Sequence, residues 1–190
     1  MERSGATVLR LIRHAPALSG GRLCGRTDVD ADCSNRALID KVRIKAGVPE
    51  RLVISPAVRC RQTASALWHG HSHELDERLW EQDFGGWDGL PYVDLPDLGS
   101  LSGDALAVHR PPGGESFAEV CARIGPALQE IAATGDVTIV AHAGTVRAGL
   151  ALAVGPTAAL AFEVAPLSVT GLRALPGGGW TIVEVNWTAT

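Results

Sequence analysis

Three short apolar segments, separated by helical patterns, constrain the fold of this chain more than any other feature. The apolar segments are rich in Leu, Ile and Val, which is typical of buried β-strands, and they cover residues 7–12, 51–54 and 137–140. The helical patterns cover residues 35–46, 58–68, 115–133, 147–154 and 157–162. Strands that alternate with helices predict an α/β fold, in which a mostly parallel central sheet is covered on both faces as a three-layer α/β/α sandwich.

The last part of the chain predicts a β-hairpin at one edge of this sheet. Residues 168–175 and 180–187 have strand-like patterns on either side of the turn that Pro176 and three glycines would form. Residues 85–114 contain many Gly and Pro residues and little regular pattern, and we expect them to form a cap over a site. A chain of 190 residues fits one domain, so we predict a single domain over residues 1–190.

The charge balance excludes one class of partners. The chain contains 17 Lys and Arg against 21 Asp and Glu, a formal net charge of −4, and only 5% of its residues are aromatic. We therefore expect neither a basic surface for nucleic acid nor an aromatic platform for stacked bases. The same charge argues against an anionic substrate, an expectation that conflicts with the arginines described below.

The sequence also predicts where the protein is located. Residues 1–5 run directly into the first apolar segment, without the apolar core and cleavage site of a signal peptide. The uncharged stretch between Arg147 and Glu163 is interrupted by Gly155 and Pro156, so it would not span a membrane. We expect a cytoplasmic protein with no membrane partner. Composition gives no indication of its oligomeric state.

Polar side chains follow each of the three predicted strands. Arg13 and His14 follow the first strand, Ser55 and Arg59 the second, and His142 the third. Because ligands bind at the carboxyl ends of the strands in open α/β sheets, these side chains would meet at one edge. Each of them taken singly is more typical of an ordinary structural or surface residue. Their joint placement favours a functional site.

These residue types suit the chemistry of a phosphoryl group. A guanidinium group such as that of Arg13 or Arg59 can donate two parallel hydrogen bonds to two oxygens of one phosphate. A neutral imidazole can attack phosphorus, and a second can donate a hydrogen bond to its oxygens in the transition state. Glu81, between apolar Trp80 and Phe84, is the strongest candidate for the proton donor to the leaving group.

At this point the sequence resembles the histidine phosphatase superfamily, which has the phosphoglycerate mutase-like fold. Five motifs occur in the order of that family and over most of the chain. They are LIRHA at 11–15, SPAVRCRQT at 55–63, EQDFGGWDG at 81–89, PGGES at 112–116 and AHAGTVR at 141–147. Ala15 and Ala143 stand where the family usually has glycine.

The resemblance implies a role for each matching residue. His14 would be the phosphorylated nucleophile, Glu81 the general acid and then the base for water, and Arg13, Arg59 and His142 would bind the phosphate as part of the catalytic set. Further substrate contacts would come from Arg26 and Thr27, which lie between the first two motifs, and from Ala143 in the last motif. The resemblance implies a metal-independent phosphomonoester hydrolase without a cofactor, acting on a small phosphorylated metabolite.

Within the family, the choice of member stays open. The segment RLCGRTD at 22–28 is similar to one in the α-ribazole-5′-phosphate phosphatases of cobalamin synthesis, whereas residues 29–38 depart from their pattern. A mutase of the phosphoglycerate mutase type is one alternative. A non-catalytic regulatory domain that binds phosphate is another. Arg22 and Arg26 are equally compatible with a substrate contact and with a solvated loop.

One further cluster is compatible with a metal site. His69, His71 and His73 alternate along the segment HGHSH, so an extended backbone would place them on the same side. No carboxylate or thiol close in sequence completes the site, and a surface loop is the favoured interpretation. We therefore predict no bound metal.

Overall fold

A computed structural model describes residues 5–189, and within this range six strands form one mixed sheet. The strands are β1 (Thr7–Arg13), β2 (Leu52–Ile54), β3 (Glu74–Leu75), β4 (Val137–Ala141), β5 (Val169–Ala174) and β6 (Trp180–Trp187). Their order across the sheet is β3-β2-β4-β1-β5-β6. The first four in this order are parallel, and β5 and β6 are antiparallel to their neighbours. The mostly parallel sheet and its edge hairpin are thus confirmed.

Six α-helices pack around the sheet within the described residues. They are α1 (Arg36–Ala46), α2 (Val58–Leu67), α3 (Gly103–Val108), α4 (Phe117–Ala133), α5 (Ala143–Val154) and α6 (Pro156–Ala159). Short 3₁₀ turns occur at Glu77–Leu79, Gly85–Trp87 and Tyr92–Asp94. No helix in this part of the chain is long and apolar enough to cross a membrane.

The core consists of two apolar clusters on opposite faces of the sheet. Leu9 and Leu11 of β1 pack with residues of α4 and α5, whereas Ile12 packs with residues of α1 and α2. Successive side chains of a strand point to opposite faces, so β1 contributes to both clusters. This arrangement is the predicted α/β/α sandwich.

Two elements begin or continue differently from the prediction. Helix α5 begins at Ala143, directly after β4, and not at Arg147. Pro126 predicts a kink or a break of α4 at Gly125, and the structure has no break there, because the helix is continuous from Phe117 to Ala133. Pro126 and Ala122 are both exposed, so the carbonyl that lacks a partner because of the proline lies on the solvent side of the helix.

Two elements lie outside the predicted set. Strand β3 has only two residues, both exposed, which leaves no apolar pattern to recognise. Residues 85–114 contain the short helix α3, which begins at the Ser102 cap, where the Ser102 hydroxyl accepts a hydrogen bond from the Ala105 N–H. The predicted N-terminal features fall largely on residues 1–4, which lie outside the described part of the chain.

Candidate active site

His14 lies at the carboxyl end of β1 and is held on several sides. Its backbone N–H donates to the carbonyl of Ala141 (2.9 Å), which continues the pairing of β1 with β4. Its ring Nδ1 lies 2.7 Å from the carbonyl oxygen of Ala15. A carbonyl can only accept a hydrogen bond, so Nδ1 carries the proton and Nε2 carries the lone pair. The next N–H, that of Ala15, donates to the Thr63 hydroxyl (2.9 Å).

The surroundings of His14 favour its neutral form. The side chain is 4% exposed. Burial, and then the positive charges of Arg59 and Arg13, lower its pKa from 6.5 to about 3, although the hydrogen bond to Ala15 acts in the opposite direction. At neutral pH the ring is therefore an uncharged imidazole with an unprotonated Nε2.

His142 lies beside His14, at the start of α5. The two ring centroids are 5.2 Å apart, with an edge-to-face angle of 68°. His142 is completely buried, and its Nε2 is 2.7 Å from the Ser55 hydroxyl. Burial, followed by the nearby His14 and Arg59, lowers its pKa well below the usual value. Trp80 stacks on the His142 ring, with centroids 6.2 Å apart and an interplanar angle of 9°.

Arg59 is a buried cation with its guanidinium at the site. It belongs to α2 and is 1% exposed. One nitrogen, Nη2, donates to the carbonyl of Gly25 (2.8 Å), and Nη1 donates to that of Thr27 (3.2 Å). The carboxylate of Asp28 lies 3.7 Å away. Because a buried charge is costly unless it is compensated, this arginine fits an anion-binding role.

Arg13 is the second guanidinium beside His14. Its Nη1 donates to the carbonyl of Val164 (2.7 Å), whereas its buried Nε has no hydrogen-bond partner within residues 5–189. Burial lowers the pKa of Arg13, and the charges of Arg147 and Arg59 act in the same direction. An anion placed between these arginines would relieve both the desolvation and the repulsion.

Glu81 approaches the site from the segment after the first 3₁₀ turn. Its carboxylate accepts hydrogen bonds from the N–H of Gly144 in the first turn of α5 (3.1 Å to Oε1 and 3.3 Å to Oε2). The N–H of Gln82 donates to Oε1 as well (2.9 Å). A side chain at position 144 would overlap this carboxylate, so only glycine lets Glu81 come so close to the helix.

These groups surround one cavity of about 180 Å³. Of the predicted site residues, Arg13, His14, Arg59, Glu81 and Ala143 line it. His142 is buried beside His14 and does not line the cavity. Arg26 and Thr27, predicted as substrate contacts, do not line it either. The Arg26 guanidinium lies over the Trp80 ring instead, 5.6 Å from its centroid.

Several cavity residues were missed by the sequence-based prediction. The additional polar side chains that line the cavity are those of Ser19, Gln82, Tyr92 and Arg147. Arg22, for which the sequence allows a substrate contact or a solvated loop, is exposed and also lines the cavity. A larger cavity of about 760 Å³ lies at the opposite end of β1, near Thr7, but contains none of the predicted site residues.

Arg123 was also missed, although it fixes the segment that carries Glu81. It donates to the backbone carbonyls of Arg78 (2.7 Å), Trp80 (3.0 Å) and Glu81 (3.3 Å). It also binds both carboxylate oxygens of Glu115, at 2.8 and 2.7 Å. The only sequence signal for this network is Glu115 in the PGGES motif.

Asp88 fixes the loop of residues 25–27, which contacts Arg59. Its carboxylate accepts hydrogen bonds from the N–H groups of Gly25 (3.2 Å), Arg26 (2.6 Å) and Thr27 (3.2 Å). This loop supplies the carbonyls of Gly25 and Thr27 that bind Arg59. The structure thus gives Thr27 a backbone role in positioning Arg59.

Comparison with known proteins places this geometry in a family. The model of the histidine phosphatase superfamily (branch 1) matches residues 9–188. The chain belongs to the histidine phosphatase superfamily. The family, together with relatives that are phosphatases, supports the prediction of a phosphoric monoester hydrolase.

Two curated relatives of this histidine phosphatase are similar over part of the chain. The 6-phosphofructo-2-kinase/fructose-2,6-bisphosphatase of Caenorhabditis elegans is 32% identical over 105 residues, which cover 53% of this chain and 23% of that protein. Fructose-2,6-bisphosphatase TIGAR of Xenopus tropicalis is 33% identical over 75 residues, which cover 36% of this chain and 27% of that protein. The matches thus span about a quarter of the length of these relatives.

Solved structures are similar over nearly the whole chain. The mycobacterial glucosyl-3-phosphoglycerate phosphatase Rv2419c has a TM-score of 0.83 and 26% identity, and the match covers 96% of this chain and 100% of that one. A putative α-ribazole-5′-P phosphatase from Escherichia coli has a TM-score of 0.80, with coverage of 97% and 98%. Its identity is 18%, so this similarity shows the fold alone.

Proposed function

We propose that this histidine phosphatase hydrolyses phosphomonoesters through a phosphohistidine formed on His14. The observation that carries this proposal is the neutral His14 ring, whose Nδ1–H donates a hydrogen bond to the carbonyl oxygen of Ala15 (2.7 Å). Its unprotonated Nε2 is left as the nucleophile, in a cavity that it shares with Arg13, Arg59 and Glu81.

The first step transfers the phosphoryl group to the enzyme. The lone pair of His14 Nε2 forms a bond to phosphorus while the bond from phosphorus to the ester oxygen breaks. Protonated Glu81 gives its proton to the departing oxygen, so an alcohol leaves. Arg13 and Arg59 neutralise the phosphoryl oxygens in the transition state. His142, predicted to bind them as well, lies outside the cavity lining with its Nε2 beside the Ser55 hydroxyl, and it packs next to the His14 ring instead.

The second step returns the enzyme to its starting state. The Glu81 carboxylate takes a proton from a water molecule, whose oxygen forms a bond to phosphorus. The bond between phosphorus and His14 Nε2 breaks, and its electron pair returns to the ring. Inorganic phosphate leaves, and Glu81 is protonated again for the next turnover.

We also propose, as the family resemblance implies, that the reaction needs no metal. Within residues 5–189, no group of three or more His, Cys, Asp or Glu side chains is arranged to hold a metal ion. His69, His71 and His73 form no such group there. The proposed substrate is a small phosphorylated metabolite, and the proposed location is the cytoplasm.

Release of nitrophenol from p-nitrophenyl phosphate in the presence of EDTA tests the mechanism. We expect turnover to continue with the chelator, His14→Ala to abolish it, and the control His73→Ala, at an exposed position, to retain it. A rapid quench in alkaline SDS should trap a phosphoenzyme that is stable to base and labile to acid, in the wild type only. Loss of turnover in EDTA, or full activity of His14→Ala, would contradict the mechanism.

A panel of phosphomonoesters identifies the substrate. It includes α-ribazole-5′-phosphate, which the RLCGRTD segment suggests, and the two glycerate phosphates. Phosphoryl exchange between the glycerate isomers that outpaces phosphate release would establish a mutase instead. Absence of both reactions, with phosphate still bound, would establish the regulatory alternative.

A further inference from the structure

The indole of Trp80 lies against one of the two arginines that bind phosphate in the proposed mechanism. The Cζ atom of Arg59 is 5.9 Å from the centroid of the Trp80 ring, and the Cζ atom of Arg26 is 5.6 Å from it. A guanidinium over an aromatic face is attracted to it when the distance to the ring centroid is within about 6 Å. Two guanidinium groups therefore share this indole, which indicates that the ring stabilises positive charge.

The orientation of this indole is fixed by contacts on several sides. Its Nε1–H donates to Glu77 Oε2 (3.0 Å), and its ring stacks almost parallel to that of His142, at an interplanar angle of 9°. The backbone carbonyl of Trp80 accepts a hydrogen bond from Arg123 (3.0 Å). Because the ring is already ordered, little further freedom is lost when a cation packs against it. The indole is thus a rigid support for the guanidinium groups.

Arg59 needs a partner that does not use up its hydrogen-bond donors. Its buried guanidinium donates to the carbonyls of Gly25 and Thr27, which takes two of the five N–H donors of a guanidinium. The carboxylate of Asp28 is 3.7 Å away and also accepts the N–H of Val58 (2.9 Å). An aromatic ring attracts a cation through the charge distribution of its face. The indole can therefore stabilise the charge of Arg59 and leave the remaining donors to phosphate oxygens.

We infer that Trp80 is a positioning residue for phosphate binding, because its indole face holds the Arg59 guanidinium at the cavity beside His14. The inference rests on the proposed function, in which Arg59 binds the phosphoryl group. Trp80 does not line the cavity, so it acts through Arg59 and not on the substrate. A loss of electron density from the indole face should therefore weaken phosphate binding, even where the shape of the side chain is kept.

Fluorinated tryptophans at position 80 separate this electrostatic role from packing. Fluorine withdraws electron density from the ring face and changes the size of the indole little, so each added fluorine weakens a cation–π contact further. Monofluoro-, difluoro- and tetrafluorotryptophan are incorporated at this single position, and isothermal titration calorimetry measures the Kd of inorganic phosphate. We expect the Kd to rise along the series, by about 10-fold for the tetrafluoro analogue. Far-UV circular dichroism checks that each protein is folded.

Trp180 provides the matched control for the fluorinated series. It lies in β6 and pairs with Ala174, which in turn pairs with Thr7 at the start of β1. This is the end of the sheet opposite to His14. The same analogues at position 180 should therefore leave the Kd of phosphate at the wild-type value.

Two ordinary substitutions repeat the test without analogues. Trp80→Phe keeps an aromatic face and should bind phosphate nearly as tightly as the wild type. Trp80→Leu keeps an apolar side chain without such a face, and its Kd should be about 10-fold higher than that of the wild type.

The outcomes separate this inference from the proposed function. If the Kd of phosphate stays constant along the fluorinated series at position 80, or changes equally at position 180, the role of Trp80 is wrong and the phosphatase proposal stands. Equal binding by Trp80→Phe and Trp80→Leu would contradict the role as well. If p-nitrophenyl phosphate is not hydrolysed, the proposed function fails, and phosphate binding still tests the contact. A wild-type protein that binds no phosphate would overturn both. The analogues keep the shape of the indole, so a Trp80→Leu variant that does not fold leaves the inference testable.

Discussion

Acidification should destabilise this protein before its carboxylates titrate, because two histidines are buried in the neutral form. His14 is 4% exposed, and burial, followed by Arg59 and Arg13, lowers its pKa to about 3. In the unfolded chain its pKa returns to about 6.5. Between these two values the unfolded state binds a proton that the folded state does not, so stability falls as the pH falls from about 6.5 towards 3.

The size of the effect follows from the separation of the two pKa values. At pH 5 the unfolded histidine is mostly protonated and folded His14 is still neutral. Each pH unit below 6.5 therefore costs about 1.4 kcal/mol, which makes about 2 kcal/mol at pH 5. His142 is fully buried, its pKa is lowered in the same direction, and it adds to the loss. Above pH 6.5 neither histidine contributes a slope.

Urea denaturation followed by tryptophan fluorescence measures this loss. The free energy of unfolding is determined at pH 7.5 and pH 5.0 for the wild type and for His14→Asn, which has a polar side chain that does not titrate. Other titrating groups act equally in both proteins, so the drop between the two pH values should be about 2 kcal/mol smaller in the variant. The same drop in both proteins would refute the argument, because it would mean that folded His14 titrates like an exposed histidine.

Three further predictions concern the groups around Glu81. Glu81→Gln should slow alkyl phosphates by roughly 100-fold or more, and p-nitrophenyl phosphate much less, because a good leaving group needs no proton; equal losses in kcat for both ester types would contradict its role as the acid. Gly144→Ala should lower kcat by about 100-fold, because the new Cβ would overlap Glu81 Oε1. Gly86→Ala is its control and should leave kcat near the wild-type value, because its Cβ would lie 3.5 Å from the Pro112 carbonyl oxygen. Arg123→Gln should lower kcat more than it changes KM, because it releases the carbonyls that hold the Glu81 segment; steady-state kinetics beside Arg61→Gln, at an exposed position, checks this.

The sheet edge could be predicted from sequence because it depends on local patterns. The apolar segments that end near Ile12, Ile54 and Val140 are parallel strands in the structure, and their carboxyl ends meet at one edge. His14 and His142 follow two adjacent strands, β1 and β4, so their proximity is a direct consequence of strand order. Burial of these segments fixes the register, and the register fixes the positions of the residues that follow them.

The supporting network could not be predicted in the same way. Arg123 reaches carbonyls that lie 42 to 45 positions earlier in the chain, across the packing of α4 on the Glu81 segment. Asp88 binds backbone N–H groups more than 60 positions away. Neither contact follows from periodicity or from the identity of neighbouring residues. Such long-range contacts appear only once the elements are docked.

The two alanines that replace glycine prove to be compatible with the site. Neither Ala15 nor Ala143 is among the residues with positive φ in the described part of the chain, so neither position needs the left-handed freedom of glycine. Ala15 is fully buried and offers its backbone to His14 and Thr63. Gly144, directly after Ala143, is the position where a side chain would overlap Glu81.

The arginines explain why a chain with a net charge of −4 can contain a site for anions. Arg13 and Arg59 act twice: after burial, which is the larger cause, their positive charges further lower the pKa of His14, and their donors are available to phosphate oxygens. The guanidinium groups of Arg13 and Arg59 are partly or fully buried. Water and salt therefore screen their positive charge less than they screen the negative charge of the carboxylates on the surface. The local field at the sheet edge is therefore set by a few buried cations and not by the total. A substitution of Arg59 would thus weaken phosphate binding and raise the pKa of the nucleophile together.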